Sequence, residues 1–169
     1  MIEILSLACL AAALMLLIAL SVIDLRTLLL PDKLVLPFAL LGIAFHAITG
    51  FHYITAENMA VGCILGGGLL YLIRTVANFI YKTDTLGLGD VKLLAAAGLW
   101  LGPEGTVIAL ITGAMAGIVH GLLLATYSFL KTRALPDMSR FSLPAGPGFA
   151  VGIVIAAAYM FKDMIKVVL

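Results

Sequence analysis

Between Glu3 and Asp24 the chain carries no charged residue. A run of about twenty apolar positions is long enough, as a helix, to cross the ~30 Å hydrocarbon core of a bilayer. Inside that core each backbone N–H and C=O must find a partner without water, which leaves helices or closed barrels as the spanning structures. The run lacks the basic n-region of a secretory leader and reads as a helix that stays in place. Further apolar stretches cover residues 34–49, 59–80, 91–101, 106–127 and 145–161, joined by connections too short to hold a soluble domain. Charged residues make up 11% of the chain and hydrophobic ones 63%, where a soluble domain carries about 25% charged residues. The expected fold is all-α: a polytopic integral membrane protein of about six transmembrane helices, one membrane-embedded domain over residues 1–169, with the lipid bilayer as its surroundings.

Basic residues orient such a chain. Arg26, Lys33, Lys82, Lys92, Lys131, Arg133 and Arg140 fall in or beside the first, third and fifth connections, and Arg74 is close enough to snorkel towards the third. Only Lys162 and Lys166 lie elsewhere. The odd connections are therefore expected in the cytoplasm, with Asp24, Asp32, Asp84 and Asp90 on that side. Gly62 and Gly66, and Gly113, Gly117 and Gly121, recur every four residues. That spacing marks faces where membrane helices approach closely, read here as packing within one chain.

Several chemistries are excluded by what the chain contains. A net charge of +1 gives no footing for nucleic acid. Cys9 and Cys63 sit singly inside apolar stretches, with no CxxC pairing for zinc or a disulfide framework. His46, His52 and His120 are scattered, and there is no GxSxG or HExxH. No metal and no cofactor is expected.

Carboxylates remain. Asp24 follows Ile23 directly at the end of the first apolar stretch, and Asp90 ends the turn Gly87-Leu88-Gly89-Asp90 between two others. A carboxylate at a membrane edge is costly to hold there without a purpose. The connection after Asp24 is oily, Leu28-Leu29-Leu30-Pro31, as if it lay along the membrane surface. Gly87 and Gly89 permit backbone conformations and close approaches that other residues forbid. Taken singly, Asp90 reads equally well as the N-cap of a helix starting at Val91, and Asp24, Asp32 and Asp84 as solvated loop charges. Taken together, two carboxylates on one side of the bilayer suggest an aspartyl protease, with one acid polarising a scissile carbonyl and one carboxylate accepting a proton from water. Helix ends would divide those roles: a dipole's positive end favours a carboxylate at Asp90, and a negative end favours the acid at Asp24. The rival reading is a small transporter or assembly subunit in which Asp24 and Asp90 bind a proton or cation at a helix break.

At these residues the chain resembles the type IV prepilin peptidases, the A24 family of GxGD aspartyl proteases. Ile23-Asp24 with Leu29-Leu30-Pro31-Asp32 is similar to the family's first motif, Gly87-Leu88-Gly89-Asp90-Val91-Lys92 to its second, and Pro144-Ala145-Gly146-Pro147 to a late PxGP segment. The resemblance implies an enzyme of the inner membrane that removes a short basic leader from pilin or pseudopilin precursors on the cytoplasmic side. It also implies that Asp24 and Asp90 are the catalytic pair, with Pro31, Asp32, Gly87, Gly89 and Lys92 as supporting motif residues. Longer members carry a cytoplasmic insertion with paired CxxC motifs, associated with N-methylation. This chain lacks those motifs and looks more like the compact, peptidase-only members that serve Flp/Tad-type pili or archaeal preflagellins.

Overall fold

The computed structural model describes residues 2–84, 86–132, 144–162 and 164. Among these the secondary structure is helical without strands: α1 (Ile2–Thr27), α2 (Asp32–Ile48), α3 (Ala56–Tyr81), α4 (Leu88–Thr132) and α5 (Gly146–Met160). Three helices are long and apolar enough to cross a membrane, namely Ile2–Thr27, Ala56–Tyr81 and the stretch Leu88–Lys131 within α4. The all-α membrane architecture expected from the sequence is the one observed.

On α1 the buried residues are Ser6, Cys9, Ala13, Leu17, Leu20 and Asp24. Their spacing of three and four residues places them on one face of a helix, so Asp24 is the last rung of the stripe that packs inward. The opposite face, with Ile4, Met15 and Ile18, is open, as suits side chains that meet lipid.

Each of the six apolar stretches becomes a helical segment. Residues 91–101 and 106–127 both belong to α4, which bends at Gly102 (φ 61°, ψ −173°) just before Pro103. A left-handed φ is cheap only for glycine, and the proline supplies no N–H to the turn behind it. The break frees carbonyls of the preceding turn, and the side chain of His46 takes one of them up. His46 Nε2 donates to the Trp100 carbonyl at 3.0 Å, and Thr106 Oγ1 donates to the Gly102 carbonyl at 2.6 Å. Trp100 Nε1 in turn donates to the Phe38 carbonyl on α2 at 2.8 Å. His46 is thus a packed core histidine, fully buried.

One helix start and one helix end also differ from expectation. α2 begins at Asp32, two residues before the apolar stretch, with Pro31 as its extended N-cap (φ −71°, ψ 130°), and Pro37 lies in its second turn. α1 runs on to Thr27, which puts Asp24 inside its final turns rather than after its end.

Of the repeated glycines, Gly62, Gly66 and Gly113 pack within the chain, whereas a Cβ on Gly117 would meet open space. A Cβ on Gly66 of α3 would lie 3.0 Å from Thr106 Cγ2, and one on Gly62 would lie 2.8 Å from Gly102 Cα, both on α4. A Cβ on Gly148 of α5 would lie 2.9 Å from the Gly113 carbonyl oxygen, again on α4. Close backbone approach of this kind is how apolar helices gain contact energy in lipid. It also fixes the height of α5 against α4. Arg133, Arg140 and Lys166, counted above for orientation, lie outside the described residues.

Candidate active site

Asp24 and Asp90 line one cleft of about 330 Å³, together with Leu28, Arg74, Asp84, Leu86, Gly87, Leu88, Pro144 and Ala145. Both carboxylates are buried, at 5% and 8% exposure. They are near enough to act on each other electrostatically. The last turn of α1 and the first turn of α4 thus bring together groups that the sequence separates by two helices, α2 and α3.

Each carboxyl group is held by a backbone N–H at the start of a helix. Gly87 immediately precedes α4 and Asp90 lies in that helix's first turn, where its side chain reaches back to accept from the Gly87 N–H. This is one half of a capping box. Asp90 is therefore not an N-cap for a helix starting at Val91, because the helix begins at Leu88. Its Oδ1 is buried with no hydrogen-bond partner, and a buried acceptor left open is costly. Asp24 Oδ2 accepts from the Gly146 N–H at 2.8 Å, and Gly146 is the first residue of α5. Asp24 thus faces the positive end of α5 as well as the negative end of its own helix. The division of roles by helix dipoles expected above does not hold, since both carboxylates sit at a helix N-terminus.

The glycines of the motif work by size. Neither Gly87 nor Gly89 has a left-handed backbone; among the described glycines only Gly50 and Gly102 do. A Cβ on Gly89 would lie 2.7 Å from Leu30 Cβ, and one on Gly87 would lie 3.0 Å from Asp90 Oδ2. Gly89 therefore lets the oily connection after α1 lie directly against the start of α4. Leu28, in that connection, takes a left-handed φ of 54°, and its N–H caps the Asp24 carbonyl at 2.9 Å.

Asp32 and Lys92 flank the cleft. Lys92 Nζ donates to both Asp32 oxygens at 2.8 and 2.7 Å, joining the first turn of α2 to the first turns of α4. Pro31 sets the extended entry into α2. Neither residue is among those lining the cleft.

Residues 11–122 match the Type IV leader peptidase family. The chain belongs to that family. The match includes both the Asp24 and the Asp90 motifs and ends before α5. The chain is 34% identical over 143 residues to the prepilin leader peptidase/N-methyltransferase of Escherichia coli (strain K12), covering 85% of this chain and 59% of that protein. It is 35% identical to the protein of the same name from Aeromonas salmonicida (strain A449), over 63% of this chain and 36% of the relative. For that of Neisseria gonorrhoeae the identity is 32%, over 64% of this chain and 37% of the relative. The chain therefore spans between about one third and three fifths of these relatives. No solved structure matches it.

Two parts of this candidate site were not singled out from sequence. Gly146 lies in the Pro144-Ala145-Gly146-Pro147 segment, whose role the motif alone leaves open. Arg74 does more than snorkel: its Nε donates to the Leu86 carbonyl at 2.7 Å and its Nη2 to Asp84 Oδ1 at 2.9 Å. It tethers the connection that delivers Gly87. An arginine in an apolar helix was the available signal, since such a cation requires partners.

Proposed function

We propose that this chain is an aspartyl endopeptidase of the membrane that removes the short basic leader from pilin or pseudopilin precursors, with Asp24 and Asp90 as its catalytic pair. The observation that carries the reading is the sharing of one cleft by two buried carboxylates, one of which keeps an open acceptor oxygen. Like charges so placed resist ionising together, so the pair tends to hold one proton between its members. The carboxylate takes a proton from a water molecule. The acid passes its proton to the scissile carbonyl oxygen as the water attacks its carbon. The resulting gem-diol collapses, and the departing amine takes up a proton as the C–N bond breaks. The pair regains its single shared proton at the end of the cycle.

The rival transporter reading places its carboxylates near mid-bilayer. Here both acids stand at helix ends, in the last turns of α1 and the first turn of α4, which favours an edge-of-membrane peptidase. The excess of basic residues beside the same end supports a cytoplasmic location in the inner membrane. The family's precursor proteins present an apolar helix after a basic leader. In this scheme that helix docks among the spans, with the scissile stretch laid across residues 28–32. Flp-type precursors are among the candidate substrates. Co-expression with candidate pilin precursors, scored by a gel shift of the precursor, tests the assignment. Cleavage by wild type with none by Asp90→Asn is the expected result, and cleavage by both would remove it.

A further inference from the structure

The Gly146 N–H is spent on Asp24 and on nothing else in α5. Pro147 follows it and has no N–H of its own, and Phe149 N–H already bonds the Ala145 carbonyl at 3.0 Å. Gly146 is therefore the donor of the first α5 turn that meets Asp24. The contact is also as close as it can be. A Cβ on Gly146 would lie 2.7 Å from Asp24 Oδ2, 3.0 Å from its Cγ and 3.1 Å from its Cβ. Real Cβ atoms do not tolerate such a distance, and an aspartate has only two side-chain torsions with which to retreat. α5 has little freedom to retreat either. Gly148 packs on the Gly113 carbonyl, Gly113 on Phe149, and Gly152 on the Ala109 carbonyl. These contacts fasten α5 to α4, the helix that carries Asp90.

We infer that Gly146 is a positioning residue for the reaction: its N–H and its missing side chain together set where the Asp24 carboxylate stands relative to Asp90. The inference rests on the peptidase reading above and extends it to a third helix, outside the 11–122 family match. It gives the Pro144–Pro147 segment a physical task. Pro144 and Ala145 line the cleft beside Asp24, Gly146 supplies the donor, and Pro147 starts the helix without adding a competing donor. A glycine placed this way converts the fixed height of α5 on α4 into a fixed distance between two carboxylates carried by α1 and α4.

The test is Gly146→Ala in the full chain, with purified protein and a precursor substrate. A displacement of about 1 Å in a reacting group costs about 10²-fold in rate, so kcat should fall by about that factor while KM stays within twofold. A residue that served only to pack α5 would not separate the two constants in this way. Thermal unfolding gives a second readout independent of activity. Gly146→Ala should lower the melting temperature in the wild-type background and lower it clearly less in an Asp24→Ala background, where the colliding carboxyl group is gone. Should Gly146→Ala not fold, the Asp24→Ala/Gly146→Ala protein should fold, and its failure to do so would overturn the inference. Wild-type kcat in Gly146→Ala, or equal melting losses in both backgrounds, would overturn it as well. Asp24→Asn separates the two levels of the argument. If that variant cleaves normally the peptidase assignment falls, whereas an inactive Asp24→Asn beside a fully active Gly146→Ala removes only the inference.

Discussion

Lys92 Nζ stands 2.8 and 2.7 Å from the two oxygens of Asp32, a bidentate contact across 60 positions of sequence. It links the start of α2 to the start of α4, and so holds the two motif-bearing connections side by side. Both side chains are open to solvent, at 52% and 69% exposure. An ion pair of that kind contributes about 0–1 kcal/mol, because water screens it and two flexible chains must be ordered. Asp32→Asn and Lys92→Ala should each lower cleavage by no more than about fivefold, which is the rate equivalent of about 1 kcal/mol. Exchanging the two residues should recover most of the loss. Precursor turnover by the two singles and the swap, at low and high salt, reads this directly. Complete loss of activity in either single variant would mean that Asp32 or Lys92 touches substrate.

Asp24 and Asp90 should behave differently. Asp24→Asn and Asp90→Asn each remove the shared proton, and general acid–base catalysis of this kind is worth about 10²–10⁴-fold. Each substitution should reduce turnover at least that far while leaving the protein inserted and helical by circular dichroism. A well-folded Asp90→Asn enzyme with wild-type turnover would return Asp90 to the role of a helix cap.

Gly89 carries a steric prediction. Its Cβ would lie 2.7 Å from Leu30 Cβ, and overpacking of this sort costs about 1–3 kcal/mol. Gly89→Ala should therefore push the connection after α1 away from α4 and lower both stability and turnover, with Gly89→Val worse than alanine. Leu30→Ala should restore part of the Gly89→Ala loss, since it removes side-chain bulk facing the new methyl. An unaffected Gly89→Val protein would show that the two connections need not touch.

His46 separates stability from chemistry. Its Nε2 bonds a carbonyl freed by the bend at Gly102, and it lies outside the residues that line the carboxylate cleft. His46→Leu leaves the Trp100 carbonyl buried and without this donor, at a cost of about 1–3 kcal/mol. The melting temperature in detergent should fall while kcat at low temperature stays near wild type. A large loss of kcat with no thermal penalty would contradict a purely structural role.

The legible parts of this molecule were those written in local sequence. Apolar runs between Glu3 and Asp24, or from 59 to 80, can only be helices in lipid, and α1 and α3 follow them. Asp24 and Asp90 could be paired in advance because one closes an apolar run and the other opens one on the same side by charge count, and the motif resemblance pointed the same way. Gly102-Pro103 is visible in the sequence as a break. What is not visible there is the partner of a carbonyl that the break leaves open: His46 bonds the Trp100 carbonyl, and that contact comes from packing. The reason for Gly87 and Gly89 was half legible: a close approach was expected, but its partners, Leu30 and the Asp90 carboxyl, are tertiary facts. Gly146 was the least legible. The group that matters there is a backbone N–H, which has no side-chain signature, and its partner is 122 positions away.

Orientation supplies the last prediction. α3 has 26 residues and is about 39 Å long at 1.5 Å per residue, more than the ~30 Å hydrocarbon core. Its start at Thr55 and the connection holding Asp84 after its end must then face opposite sides if the helix spans. The basic residues fall mostly in the connections on the side of Asp84, so that side is expected to face the cytoplasm. Single cysteines at positions 28, 55 and 84, in a background with Cys9→Ala and Cys63→Ala, should report this by accessibility to a membrane-impermeant maleimide. Positions 28 and 84 should label only after the membrane is opened, and position 55 should label in intact cells. All three positions are exposed, so lack of labelling from one side reflects the bilayer and not burial. Labelling of position 84 in intact cells would put the carboxylate cleft on the outer face, away from precursors whose leaders remain in the cytoplasm.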